Sequence, residues 1–142
     1  MYHFEHDPER GLLVSRMAAG GDEQADFGIH LEKLEQALTA AAARGQKLAL
    51  VILFDSGHAV PNAVWRRAVA DFQKRPIFNP DVVLVSGNPL LRGVLTALDW
   101  LRGSIINMQP AASGEKAVEL IEKQRGAPHP QLLAMVRRVQ SS

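Results

Sequence analysis

The sequence predicts an α/β fold: a mixed, mostly parallel central sheet with helices packed against it. Three observations carry this. Two short runs, LALVILF (48–54) and VVLV (82–85), are apolar without interruption, as suits parallel strands covered on both faces. Stretches with leucine, valine or alanine at helical spacing alternate with these runs. The chain opens on a hairpin pattern, which puts at least one antiparallel strand into the sheet.

The hairpin reads YHFEH, then DPERG, then LLVSRM. Tyr2, Phe4 and His6 alternate, and Asp7, Pro8 and Gly11 supply turn chemistry. AAGGDEQADFG (18–28) reads as a loop. Leu31, Leu34, Leu38 and Ala41 then mark a helix, with Asp26 as its cap and Gly45 just past its end. After the strand at 48–54, Val64, Ala68 and Phe72 define one face of the next helix, with Trp65 and Val69 beside it. Pro76 and Pro80 close that segment.

DVVLVS is the second buried strand. GNPLLRGVLTALDWLRG (87–103) is the plainest helix in the chain, with Asn88 as cap, Pro89 in the first turn and Leu91, Val94, Leu95, Leu98 and Leu101 as its stripe. SIINM (104–108) reads as a third short strand. Ser113 caps a helix that carries Ala117, Leu120 and Ile121 and ends at Gly126. Beyond APHP, a last helix brings Leu132, Leu133, Val136 and Val139 to dock. The order is therefore β-β-α-β-α-β-α-β-α with an extra terminal helix, joined by right-handed crossovers. Residues 1–126 make the domain, and 127–142 are a helical extension packed on it.

Composition narrows the function. A chain of 142 residues is one domain by default. Sixteen Lys and Arg against fifteen Asp and Glu give a net charge of +1, too balanced for a nucleic-acid surface. Without cysteine there is no disulfide framework, thiol catalysis or cysteine zinc site, and a reducing cytoplasm is the expected setting. No apolar run is long enough to insert in a membrane as a helix. The five histidines show no metal-ligand spacing, and no motif asks for a cofactor.

The chemistry-bearing stretch is LVILFDSGHAVPNAVW (50–65), where a buried strand delivers Asp55, Ser56, Gly57 and His58 to a loop. A nucleophile needs a base within reach, a group that orients the base and an oxyanion site. Residues this close in one loop rarely converge so, and no G-x-S-x-G elbow is present. The plainer reading has Asp55 and Ser56 satisfying loop backbone and Gly57 easing the turn. As loop-surface residues, Ser56 and His58 would then contribute little to stability. A ligand reading also applies, since small molecules lodge beyond the carboxyl ends of parallel strands. Ser86 and Asn88 lie at that same edge, and a helix opening there offers free N–H groups to an anion. Arg66 or Arg92 could add charge.

This element order, together with LVILFDSGHAVPNAVW, VVLVSGNPLLRGVLTALDWL and IINMQPAASGEKAVELIEK, resembles the STAS domain family (sulfate transporter and anti-sigma-factor antagonist) in its SpoIIAA-like branch. The resemblance runs over roughly residues 12–123. It implies a cytoplasmic bacterial regulatory module without catalytic activity. Such a module binds a protein partner, and a small anion or nucleotide besides, through the 55–62 loop and the helix after it. On that reading Asp55 shapes the loop, Asn62 caps the helix and Arg66 presents charge to the partner; a homodimer is a further arrangement open to it. In anti-sigma-factor antagonists a serine at the start of this helix is phosphorylated by a partner kinase. Here that place holds Val60, Pro61 and Asn62, so the resemblance implies that the phospho-switch is missing unless Ser56 has taken it over. Two other readings stay open: a carrier of a small apolar or lipid molecule, by likeness to the CRAL-TRIO group, and a small hydrolase using Ser56 and His58.

Overall fold

The structure, a computed structural model, describes residues 2–20, 22–55, 57–58, 63–77, 79–89, 93 and 107–142. Its elements are β1 (Tyr2–Asp7), β2 (Leu12–Met17), α1 (Glu23–Ala43), β3 (Ala49–Phe54), α2 (Ala63–Gln73), β4 (Asp81–Ser86), β5 (Asn107–Ala111), α3 (Gly114–Arg125) and α4 (Pro130–Gln140). The five strands lie in sequence order, β1-β2-β3-β4-β5. β1 is antiparallel to β2, and every later pair is parallel. The mixed, mostly parallel α/β sheet is therefore as expected, with β3 and β4 adjacent, parallel and buried along their whole length.

Side-chain alternation splits the core into two clusters. Leu13, Met17, Leu50, Ile52, Phe54, Val82 and Leu84 face α1, with Val69 and Phe72 of α2 packed against them. Leu12, Val14, Val51, Leu53, Val83 and Val85 face α3 and α4, through Ala117, Val118, Ile121, Leu132, Met135 and Val136. The terminal helix is thus part of the cover of the sheet. It comes close because Gly114 has no side chain: a Cβ there would stand 2.5 Å from both Val136 Cγ1 and Gln140 Nε2.

Several caps and turns follow the sequence. Asp7 Oδ1 accepts the Arg10 N–H at 3.1 Å in the hairpin, and Gly11 takes φ +65 there, in the left-handed region that favours glycine. Ser113 caps α3 through the Lys116 N–H, and Gly126 ends it.

Other expectations change. α1 begins well before Leu31, at Glu23. Its cap is Asp22, which accepts the N–H groups of Gln24 and Ala25, while Asp26 is a buried residue inside the first turns. The 18–28 segment is thus half helix, and Phe27 belongs to the core. Val64 leaves the predicted apolar face of α2 and is 74% exposed. Helical geometry gives the reason: Val69 and Phe72 point at the sheet, and Val64 lies about 140° around the helix from Val69. The strand expected over 104–108 is described from Asn107 to Ala111, as β5, and includes Pro110, which an edge strand tolerates. The 87–103 helix expected from sequence falls outside the described residues, apart from residues 87–89 and 93, as do Trp100 and the side chain of Trp65. Among the described residues, no helix is long and apolar enough to cross a membrane.

Candidate functional site at the carboxyl edge of the sheet

β2, β3 and β4 end side by side: Met17 lies opposite Phe54, and Phe54 opposite Ser86. The segments that follow them therefore share one edge of the sheet, the edge at which ligands bind in parallel α/β folds. Five candidates from sequence are described there: Asp55, Gly57 and His58 after β3, and Ser86 with Asn88 at the end of β4. Ser56, Asn62 and Arg92 lie outside the described residues.

Asp55 is committed to its own chain. Arg16 of β2 grips it with two bonds, Nε to Oδ1 at 2.9 Å and Nη2 to Oδ2 at 3.1 Å. The Ala19 N–H donates to Oδ2 at 3.3 Å. A bidentate guanidinium–carboxylate pair is geometrically demanding and fixes both partners. It holds the Asp55 carboxyl below the usual carboxylate range, against a smaller opposing effect of partial burial, and raises Arg16 in turn. Arg16 Nη1 also donates to the backbone carbonyl of Ser142. One arginine thereby ties together the end of β2, the loop after β3 and the end of α4.

His58 is turned inward. Its N–H donates to the Asp55 carbonyl at 2.9 Å, closing a tight turn. Its ring, only 9% exposed, stands edge-on to Phe54 at 5.3 Å and to Phe27 at 6.3 Å. This corrects the expectation of a loop-surface histidine: the reversal at 55–58 points the imidazole back into the α1 side of the core. Gly57 is exposed, and a Cβ on it would meet Ala19 Cβ at an ordinary 3.4 Å, so the loops after β2 and β3 lie against one another.

Ser86 is fully buried, and its Oγ accepts the Asn88 N–H at 3.0 Å. One amide that an anion would use is thereby engaged locally. Arg66 projects from α2 as an exposed side chain. The structure thus brings Asp55 and His58 into one turn, keeps Ser86 and Asn88 as a second local turn, and leaves Arg66 in solvent.

Sequence reasoning missed Arg16. Its signal was present: an arginine set between Ser15 and Met17 in an otherwise apolar strand needs an anionic partner. It also missed a buried polar chain on the α1 face. The Tyr2 hydroxyl lies 2.8 Å from Ser15 Oγ and 3.1 Å from His30 Nδ1. These two contacts link Ser15, Tyr2 and His30 in one hydrogen-bonded chain. Burial drives His30 down to about 4, and it pushes Tyr2 up to about 12, slightly offset by the Ser15 bond. Among the described residues, no three His, Asp or Glu side chains converge to hold a metal ion.

Fold and edge together define the class: a five-stranded mixed α/β domain with a pinned corner after its central strand. No family model, curated protein or solved structure matches this chain.

Proposed function

We propose that this protein is a non-catalytic regulatory binding module of the STAS, SpoIIAA-like kind, acting in a bacterial cytoplasm. Its protein partner docks on the corner made by the 55–62 loop and the first turns of α2. The observation that carries the reading is Val64: a valine 74% exposed, with Arg66 and Arg67 exposed beside it, at the start of the helix that leaves the corner. An exposed apolar side chain with Arg67 about 60° around the helix from it suits a partner that offers a small apolar pocket with an acidic rim. The interior of the corner supports the same reading. Asp55 and His58, the acid and base that a catalytic loop would use, are engaged in an ion pair and in ring packing. Asp55 and His58, held in this way, present a fixed shape at the start of the loop, which lowers the ordering cost of docking there. A protein partner is favoured over an anion or nucleotide because the Asn88 amide is already bonded to Ser86.

A photo-crosslinking residue in place of Val64, in the cell of origin, tests this. One discrete adduct is expected from position 64, and none from the same group in place of Lys116, an exposed residue of α3. No adduct at 64, or the same adducts from both positions, would overturn the reading.

A further inference from the structure

The two edges of the sheet differ. β5 carries Pro110, which cannot donate to a further strand. β1, YHFEHD, has no proline, glycine or lysine to blunt it. Among the described residues it has one neighbour, β2. Among the described residues, no hydrogen bond reaches its outer backbone edge. On this edge Phe4 is 42% exposed, stacked on Tyr2 at 5.7 Å, with Lys33 Nζ 5.2 Å from its ring centre.

We propose that β1 pairs antiparallel with β1 of a second copy of this chain, about a two-fold axis at Phe4, so that one sheet runs through both copies. Symmetry and side-chain alternation restrict the register. Opposed residues in an antiparallel pair share a face, so even positions meet even positions and the axis passes through a residue. An axis at Phe4 sets Phe4 against Phe4, Tyr2 against His6, and His3 against Glu5. Aromatic side chains then meet on the α1 face, and a carboxylate meets an imidazole on the other. An axis at Glu5 would oppose two glutamates, and one at His3 would pair only residues 2–4. Glu5 is already held by Arg138 of α4, which keeps its carboxylate in place beside the incoming His3. The second copy is favoured over an unrelated strand because YHFEHD complements itself in this register.

One added strand pair is small beside a standard interface, so the dimer is weak and dependent on concentration. Sedimentation from low-micromolar to near-millimolar protein should show the average mass climbing from 15.5 kDa toward twice that value. Phe4→Lys sets two cations across the axis and should raise the dissociation constant by about tenfold or more; its circular dichroism should match that of the parent. The chain has no cysteine, so Phe4→Cys supplies a single thiol on the axis. Under mild oxidation it should form a disulfide-linked dimer much faster than Val64→Cys, an exposed position away from β1. A monomer at every concentration would overturn the proposal and leave the edge to a strand from another protein. So would association that Phe4→Lys leaves unchanged, or crosslinking no faster at 4 than at 64.

Discussion

The two faces of the sheet are covered by helices in the same way but filled with different chemistry. The face under α3 and α4 is aliphatic throughout its interior; its charged groups, Arg16 and Asp81, sit at the two ends of the strands. Asp81, with a side chain 5% exposed, opens β4 and is held by Lys47, Arg125 and Gln124. The face under α1 and α2 buries Ser15, His30, His58 and Ser86 among its apolar side chains. Buried polar groups must be hydrogen-bonded to be tolerated, and they fix geometry in return. The pinned corner after β3 hangs from this polar face through His58, Phe54 and Phe27. The difference teaches where to look. One face supplies burial and, from its rim, the Arg16 grip on Asp55, while the other packs the corner from inside and carries the buried His30 that makes stability depend on pH.

The largest expected effect is on the aliphatic face. Ile121→Ala, at a fully buried position, should lower the unfolding free energy by about 2–5 kcal/mol in urea titrations, by the same amount at pH 7 and pH 5. A marked pH dependence of that loss would break the division between the faces.

On the polar face the signature is pH itself. An unfolded histidine takes up its proton near its ordinary value, whereas His30 takes it up only near about 4, because burial penalises the charged ring. Between those values the unfolded state binds more protons, so stability rises with pH and falls on acidification. The parent should lose about 3 kcal/mol from this source between about pH 6.5 and 4. His30→Gln should flatten that stretch of the stability curve. An unchanged curve in the variant would show that His30 is not the group responsible.

A smaller effect is expected at the corner. The side chain of Asp55 is 29% exposed, so solvent weakens its pair with Arg16, and Asp55→Asn should cost no more than about 1 kcal/mol at neutral pH. The sign with pH is that of a depressed carboxyl: its contribution is present above the ordinary aspartate value and is lost as pH falls through the lower folded value. Thermal melts of the parent and Asp55→Asn should therefore converge in acid. Curves that stay apart would mean that the carboxylate charge is not what Arg16 holds.

Much of the scaffold was legible because it rests on local pattern. Uninterrupted apolar runs announce β3 and β4, and Ser113 and Gly126 punctuate α3. What escaped depends on approach in space. Asp22 was passed over as a cap because 18–28 reads as a loop, while burial of Phe27 anchors the first turns of α1 on the core. Val64 looked like core because valine suits an apolar stripe, but Val69 and Phe72 decide which way α2 faces. Arg16 and Asp55 are 39 residues apart, and only the parallel pairing of β2 with β3 brings them together. His58 followed a glycine and looked solvent-bound; the turn closed on the Asp55 carbonyl sends its ring inward.

The central claim is that the corner is held by buried groups and read through exposed ones. A crossed pair of variants tests it most directly, by measuring unfolding free energy and adduct formation with the partner captured at position 64. His58→Ala empties a packed site between two phenyl rings and should cost about 2 kcal/mol, while its folded fraction still binds. Val64→Asp alters a side chain already in water and should leave stability within about 0.5 kcal/mol of the parent, while competing poorly for the partner. The contradicting result is the reverse: Val64→Asp that unfolds the protein, or His58→Ala that keeps full stability and loses the partner.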